Sequence, residues 1–255
     1  MGKLLVHGGT NLSREVVRKL LEAGVEPTVT VTRSSARDLY PDRINDRIQV
    51  GRLTPESLRE ILEEESIDAV LDATHPFADR ISLHAINATE ESDIPYLYLD
   101  RESVLPEKHE LLTVVDDWND AVRELKDHGR TLLTIGIKRL PYFTANLPSK
   151  QLVVRVLPDE GSLSAAKDTG VKRKNIIAMW PPDTVGLERQ LLLDYDIETL
   201  VTKDSGPSGN LPEKWEACCD TSTEMLVLER PDVDYPSRTT SLEQAVEWGA
   251  DHARS

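Results

Sequence analysis

The sequence has few of the residues that would mark a disulfide-bonded or metal-binding protein. Its 255 residues include two cysteines, Cys218 and Cys219, which are adjacent and have no other cysteine to pair with. Neighbouring cysteines seldom bridge, so neither a disulfide framework nor a zinc site is predicted. The sequence also contains no H-x-x-x-H metal pattern and no G-x-S-x-G hydrolase elbow.

Long apolar runs and positive charge are scarce as well. The apolar runs are far too short to span a bilayer, and no signal-peptide pattern is recognised, so a cytoplasmic protein without a membrane partner is expected. Asp and Glu total 45 against 30 Lys and Arg, a net charge of −15. Such an acidic surface disfavours nucleic acid as a partner and is typical of proteins that work in elevated salt.

The first 21 residues predict a strand, a glycine-rich turn and a helix. The apolar run 4–6 precedes His7-Gly8-Gly9-Thr10-Asn11, and apolar residues then recur at helical spacing, with Ser13 as the predicted N-cap. Glycines let the backbone approach an anion, and the amides of a helix N-terminus favour negative charge. This pattern predicts a phosphate cradle. Gly8-Gly9 is not a complete G-x-G-x-x-G fingerprint, so a tight turn that binds nothing remains the alternative.

Strand and helix patterns alternate along the whole chain. Strands are predicted at 4–6, 27–32, 47–50, 67–71, 96–99, 113–115, 131–135, 152–157, 176–179, 199–202 and 225–228, and helices at 55–65, 78–92, 118–128, 184–195, 211–219 and 241–252. Such alternation predicts an α/β fold of two Rossmann-like parallel-sheet halves with a cleft between them. The predicted halves are 1–105, an NADP-binding half, and 106–255, which includes the closing helix.

Polar loops follow several predicted strands, where ligands of open parallel sheets bind. The segment after the second strand, Thr32-Arg33-Ser34-Ser35-Ala36-Arg37, has no acidic residue until Asp38. A site for NAD usually places an acid there, whereas NADP is accommodated by Arg and hydroxyl donors, so NADPH is the predicted cofactor. The predicted cofactor-binding residues are Gly8, Gly9, Thr10, Asn11, Arg33, Ser34, Arg37, Thr74 and His75. The alternative is that Arg33 and Arg37 are ordinary solvated charges.

Two further loops carry groups suited to catalysis. His75 follows a predicted strand and is a candidate general acid or ligand contact, although a histidine that only holds the turn is an equal alternative. Lys203-Asp204-Ser205-Gly206 follows another strand and can hold a carboxylate or phosphate. The alternative there is a capped turn with a local Lys–Asp pair.

Several motifs occur together in one order. They are Gly8-Gly9-Thr10 with Arg14, Asp72-Ala73-Thr74-His75-Pro76-Phe77-Ala78, Ile94-Pro95-Tyr96-Leu97 with Arg101, Gly136 with Lys138, Arg155-Val156-Leu157-Pro158, and Thr202-Lys203-Asp204-Ser205-Gly206. Over residues 3 to about 231 the chain thereby resembles the precorrin-6A reductase and cobalt-precorrin-6A reductase family of cobalamin biosynthesis. One departure is Leu12, because the family usually has an acidic residue two positions after Gly-Gly-Thr.

The resemblance implies that NADPH delivers a hydride to one double bond of a corrinoid-precursor macrocycle, giving (cobalt-)precorrin-6B. A tetrapyrrole with many carboxylates needs local positive charge, for which Arg and Lys are suited. The predicted substrate-binding residues are Arg80, Arg101, Lys138, Lys203, Asp204, Ser205 and Gly206. Arg139 and Arg155 also fall near strand ends and are further candidates for the basic pocket, and Phe77, Tyr142 and Phe143 are candidate apolar walls. His75 and Lys203 are the predicted catalytic residues. A monomer or weak homo-oligomer is expected.

Three other functions are alternatives to this one. A short-chain or epimerase-type oxidoreductase needs Tyr-x-x-x-Lys, but Tyr98 is followed four residues later by Glu102 and Tyr195 by Thr199. A non-catalytic NADPH-sensing protein predicts a degenerate second half, whereas polar loops persist there. A methyltransferase using S-adenosylmethionine predicts an acid where Arg33 stands.

Overall fold

A computed structural model describes residues 2–254 of the chain, apart from the side chains of Ser35 and Ser208. In chain order the strands are β1 (Leu4–His7), β2 (Thr28–Val31), β3 (Ile48–Val50), β4 (Ala69–Asp72), β5 (Tyr96–Leu99), β6 (Leu112–Val115), β7 (Thr131–Leu133), β8 (Leu152–Val156), β9 (Ile176–Ala178), β10 (Thr199–Lys203), β11 (Glu224–Leu228) and β12 (Arg238–Thr239). The helices are α1 (Asn11–Glu22), α2 (Ser34–Arg37), α3 (Pro55–Glu64), α4 (Asp79–Glu91), α5 (Trp118–Leu125), α6 (Leu140–Asn146), α7 (Glu160–Asp168), α8 (Val185–Asp194), α9 (Leu211–Thr221) and α10 (Leu242–Arg254). Short 3-10 helices lie at Asp42–Arg47, Ile137–Arg139, Arg173–Asn175 and Pro207–Gly209. In the described part of the chain, no helix combines the length and the apolar character needed to cross a bilayer.

The chain divides into two units, each built around a six-stranded parallel sheet. The first unit contains the residues up to Glu102 together with those from Pro231 onward, and the second contains Ser103–Arg230. The sheet order is β12-β5-β4-β1-β2-β3 in the first unit and β6-β11-β10-β7-β8-β9 in the second. The prediction of an α/β fold with two parallel-sheet halves is confirmed.

Strand periodicity explains how the first sheet buries both of its faces. Leu4 and Val6 point to one face, where they join a core with α1 and α10, while Leu5 points to the other, towards α3 and α4. All three side chains are almost fully buried. A strand covered on both faces is therefore apolar at successive positions, which is why β1 is a continuous apolar run.

The closing helix belongs to the first unit, which corrects the predicted division at 105/106. Ala245, Ala250 and Ala253 of α10 are buried against β1 and α1. At Gly249 an added Cβ would lie 3.0 Å from the Leu4 side chain, so the small residues of α10 allow a close approach to the sheet. Without this returning helix, one face of the first sheet would expose its apolar side chains to water.

Several predicted bounds were shifted, and some elements were missed. The predicted helix 118–128 ends at Leu125, and the predicted strand 67–71 begins at Ala69. The sequence analysis did not identify α6, α7 or the two-residue strand β12. These elements are short, and α7 is rich in Ala, Gly and Ser, so they lack a long apolar periodicity.

A buried ion pair lies inside the second unit. The Arg155 Nη1 atom on β8 donates to both carboxylate oxygens of Glu188 on α8, at 2.8 and 2.7 Å. The Arg155 side chain is 4% exposed and that of Glu188 is 0% exposed. Lys214 on α9 also faces this pair and is itself buried. Because charges leave water at a high cost, each of these groups depends on its partner.

We expect the substitution Glu188→Gln to lower the free energy of unfolding by about 3–5 kcal/mol, because it leaves buried cations without their carboxylate. Urea unfolding at pH 7 measures the change. The matched control is Glu22→Gln, which breaks the exposed pair with Arg18 and should cost no more than about 1 kcal/mol. Equal losses in the two variants would contradict a special role for the buried pair.

Candidate functional site

The first site lies where the strand order of the first sheet reverses. From β1 the chain proceeds to β2 and β3 on one side, while β4 and β5 lie on the other. The loops that follow β1 and β4 therefore meet at the carboxyl edge, where ligands of open α/β sheets bind. The Thr10 hydroxyl donates to the Ala73 carbonyl oxygen at 2.9 Å and joins the two loops directly.

Thr10 also caps the helix that follows the glycine turn, which corrects the prediction that Ser13 is the N-cap. The Ser13 amide donates to the Thr10 hydroxyl at 3.0 Å, and the Thr10 amide donates to the Ser13 hydroxyl at 3.0 Å. This reciprocal arrangement is a capping box with serine at the third helical position. Because the Thr10 hydroxyl is used twice within the protein, this side chain maintains the turn, and its role as a cofactor contact stays a prediction.

Tyr40 holds the glycine turn and was missed by the sequence analysis. Its hydroxyl accepts a hydrogen bond from the Gly9 amide at 2.9 Å and lies 2.8 Å from the Ser13 hydroxyl. A Cβ atom at Gly8 would lie 2.4 Å from the same hydroxyl, so only glycine fits there. Tyr40 is 31 residues from Gly9, and no local sequence signal could have indicated the contact.

Part of the predicted phosphate cradle remains open to a ligand. Gly9 has a positive φ of 97°, and no atom lies within 4 Å of the position that a Cβ would occupy. Among the described residues, no acceptor is recorded for the amides of Asn11 and Leu12, which begin α1. The side chain of Asn11 accepts from the Arg14 guanidinium. The turn therefore offers two helix-terminal amides and a nearby cation, which suits an anion.

Of the residues after β2 that were predicted to contact a cofactor, one is already engaged inside the protein. Arg33 and Ser34 are exposed at the start of α2. The Arg37 guanidinium donates to the Asn45 carbonyl oxygen at 2.5 Å, so one of its donors is spent inside the protein. Arg33 is thus the better placed of the two arginines to meet a ligand phosphate.

A buried carboxyl group organises the loop after β4. Asp72 is fully buried and accepts hydrogen bonds from the Thr74 amide at 2.9 Å, the Ser82 hydroxyl at 2.6 Å and the Tyr96 hydroxyl at 2.8 Å. Burial, followed by the Asp72 charge, raises the pKa of Tyr96, which remains a hydroxyl donor. An aspartate at the end of a buried strand was the available signal for this network. Its fixed position orients Thr74, which is itself buried.

His75 is half-buried and is oriented by its own loop. Its Nδ1 atom accepts a hydrogen bond from the Phe77 amide at 3.2 Å. A ring that accepts at Nδ1 carries its proton on Nε2 when neutral. The Phe77 ring lies 5.7 Å from the imidazole. The other histidine of this edge, His7, is buried beside Thr30, and burial lowers its pKa, so it is a packed neutral residue.

The second site lies at the corresponding reversal in the second sheet, between β7 and β10. The Thr134 amide donates to the Val201 carbonyl oxygen at 2.9 Å and fixes the end of β7 against β10. Gly136, with φ 78°, then turns the chain into Lys138 and Arg139. This turn brings the predicted Gly136-Ile137-Lys138 loop and the loop that begins at Lys203 to adjacent strands.

Three cations converge at this second edge. The Lys203 ammonium lies 5.6 Å from the centre of the Trp118 ring, and the Arg139 guanidinium carbon lies 5.7 Å from it. Burial, together with the charges of Lys138 and Arg139, lowers the pKa of Lys203 to about 8. Trp118, which contacts two cations through its ring face, was not identified from the sequence. We call Lys138, Arg139 and Lys203 the cation cluster.

Other predicted substrate contacts are used inside the protein. Asp204 pairs with Arg230 at 3.0 Å, and its role as a ligand contact stays a prediction. Arg155 is held by Glu188, and Phe143 is fully buried, so neither reaches a ligand. The Tyr142 hydroxyl donates to Asn119.

The remaining predicted residues lie as follows. Arg80 is exposed near the start of α4, and Arg101 is buried just after β5. Ser205 is buried with its amide donating to the Lys203 carbonyl oxygen at 2.8 Å, and Gly206 has a φ of 65°. The structure therefore brings the Gly8, Thr10, Thr74 and His75 loops together in the first unit, and Lys138 and Lys203 in the second.

Comparisons with known proteins agree with the motifs. Residues 3–250 match the model of the family described as "Precorrin-6x reductase CbiJ/CobK". The chain is 30% identical to the cobalt-precorrin-6A reductase of Priestia megaterium, covering 99% of this chain and 100% of that protein. It is 28% identical to the precorrin-6A reductase of Rhodobacter capsulatus, covering 99% and 97%. The solved structure of a CobK precorrin-6A reductase matches with a TM-score of 0.82 and 26% identity, covering 99% and 98%.

Polar loops at the reversal of each parallel sheet define a ligand-binding α/β protein. Within that class, two findings identify the family: the family model matches residues 3–250, and a relative aligns over its full length. The chain belongs to the precorrin-6x reductase family CbiJ/CobK, as the motifs suggested.

We expect Tyr40→Phe to lower the free energy of unfolding by about 1–3 kcal/mol, because the Gly9 amide and the Ser13 hydroxyl lose a partner in a partly buried place. Chemical denaturation measures the loss. The control is Tyr142→Phe, which removes an exposed hydroxyl and should change stability by less than about 0.5 kcal/mol. If the two variants were equally stable, Tyr40 would not hold the glycine turn.

Proposed function

We propose that this protein catalyses the NADPH-dependent reduction of one double bond of precorrin-6A, or of its cobalt form, to (cobalt-)precorrin-6B in cobalamin biosynthesis. Family membership and the names of the relatives support the reaction class. The observation that carries the proposal is the cation cluster, since three cations gather at one sheet edge of a protein whose net charge is −15. Such a cluster suits a substrate with several carboxylates.

The first unit is the proposed cofactor-binding part. Its strand order, with β3-β2-β1-β4-β5 consecutive, is the order of doubly wound dinucleotide-binding sheets. The open space above Gly9 and the amides of Asn11 and Leu12 fit a pyrophosphate, and Arg33 fits a 2′-phosphate. When bound, NADPH supplies the hydride. When neutral, His75 carries its ring proton on Nε2 at the same edge.

We expect Arg33→Ala to weaken NADPH binding roughly ten- to a hundredfold while leaving NADH binding unchanged, because one charged hydrogen bond to the 2′-phosphate is worth about 1.5–3 kcal/mol. Fluorescence titration gives both dissociation constants. As an independent readout, NADPH at a hundredfold excess over its Kd should stabilise the wild type by about 2.7 kcal/mol.

The matched control for this experiment is Arg43→Ala, since Arg43 lies further along the chain and pairs with Glu26 on the surface. It should bind NADPH as the wild type does. Equal affinity of the wild type for NADPH and NADH would refute the cofactor assignment.

The cation cluster is proposed to bind and protonate the macrocycle. Lys138 and Arg139 are the proposed partners of its carboxylates, with Ser205 and Gly206 shaping the adjoining loop. Lys203 is the proposed acid, because a pKa of about 8 keeps it protonated at pH 7 yet near the operating pH, as an effective acid requires. His75 is assigned to ligand binding, since protonation of its Nδ1 would break the bond from the Phe77 amide.

We expect kcat/KM to fall as the pH rises through about 8, because the acidic form of Lys203 exists below its pKa and is lost above it. Lys203→Met should remove this inflection and slow turnover by roughly 10²–10⁴-fold. Steady-state assays from pH 6 to about 9.5 test both.

Lys138→Met is the informative control. It should raise KM and shift the inflection to higher pH, because one of the cations that lowers the pKa of Lys203 is gone. An inflection that stayed near pH 8 in Lys203→Met would show that another group is the acid.

Both the metal-free and the cobalt-containing substrates should be assayed, since the relatives include reductases named for each. We propose that the reaction takes place in the cytoplasm and that the active form is a monomer or weak homo-oligomer. Tight binding of NADPH without turnover of either substrate would instead favour a non-catalytic NADPH-sensing protein.

A further inference from the structure

We propose that Trp180 provides the aromatic surface against which the flat tetrapyrrole packs, while the cation cluster holds its carboxylates. The inference rests on the proposed function and adds a residue that determines how the macrocycle is bound. It follows from the exposure of the indole, from the way its loop is fixed, and from its place along the sheet edge.

Trp180 differs from the other three tryptophans. It is 67% exposed, although it lies only two residues after the end of β9. Trp118, Trp215 and Trp248 are half-buried, and each lies against the ring of Phe143, His109 or His252. In the part of the chain that the structure describes, no ring partner is recorded for Trp180. A large aromatic face left in water is costly unless something covers it.

The loop that carries Trp180 is fixed to the loop that follows Lys203. The Asn210 side-chain amide donates to the Pro182 carbonyl oxygen at 2.7 Å and to the Asp183 carboxylate at 2.9 Å. Asn210 adopts a left-handed conformation, with φ 56°, that directs the chain into α9. The preceding Gly209 carbonyl accepts from the buried Lys214 ammonium at 2.9 Å. The two loops therefore form one pre-arranged surface.

The distance along the edge suits a macrocycle. In the order β10-β7-β8-β9, the strand before Trp180 is three positions from the strand that ends in Lys203. With strands about 4.8 Å apart, the separation is roughly 14 Å. This span is comparable with the breadth of a tetrapyrrole and its carboxylate arms. An indole at one end and three cations at the other match a ligand that is flat and apolar in its ring and anionic at its rim.

The test compares Trp180→Ala, Trp180→Phe and a control in the otherwise wild-type full-length protein. KM, kcat and the Kd of the (cobalt-)precorrin-6A substrate are measured, together with the Kd of NADPH. Trp180→Ala should raise the Kd and KM of the tetrapyrrole roughly tenfold or more, as loss of an aromatic stacking face does, with kcat and the NADPH Kd within about twofold. Trp180→Phe should recover most of the affinity, because it restores an aromatic face.

The control is Leu193→Ala, an apolar side chain of similar exposure at the far end of α8. It should leave every constant unchanged. A tetrapyrrole Kd for Trp180→Ala equal to that of the wild type would overturn this inference and leave the proposed function standing. Failure of the wild type to bind or reduce either substrate would instead refute the proposed function, and this inference with it.

Discussion

Parallel strand pairing is the constraint on which the rest of this structure depends. All ten described pairings in the two sheets are parallel. A parallel connection needs a crossover, and crossover helices cover the faces of the sheet, so the strands are buried on both sides. The same geometry brings every strand end that leads into a crossover loop to one edge. The polar loops that follow the strands, from Gly8 to Gly206, are thereby collected at two short edges, one in each unit.

At the sheet edge of each unit, polar groups fix the loops that follow the strands. Thr10 joins the loops after β1 and β4, and Asp72 anchors the second of them with three hydrogen bonds. In the second unit, Asp204 is neutralised by Arg230, while Lys203 lies among cations that lower its pKa. Fixed loops of this kind reduce the cost of ordering a site when a ligand arrives. Loops arranged in advance also favour the correct orientation of whatever they bind.

Local patterns predicted the elements well where one physical signal dominated. β5 was predicted with its observed bounds, because Tyr96–Leu99 is an apolar run between two turns. The start of α3 at Pro55 was also predicted correctly. Predictions failed where a residue on another part of the chain determines which contacts a side chain makes. From the sequence, Arg155 is a plausible ligand for a substrate carboxylate, but in the structure it pairs with Glu188 on another element. Ser13 is a reasonable cap until Thr10 is seen to begin the helix one turn earlier.

The sequence by itself determined the fold class, the family and the loops that carry chemistry, because periodicity, turn residues and ordered motifs are local properties of the chain. Only the tertiary structure decided which of those polar residues are available. Tyr40 reaches the glycine turn, Trp118 meets Lys203, and α10 returns to cover the first sheet, each across a long sequence separation. Burial, charge compensation and a lowered pKa depend on neighbours in space, and the topology of the parallel sheets, not the order of the residues, supplies those neighbours.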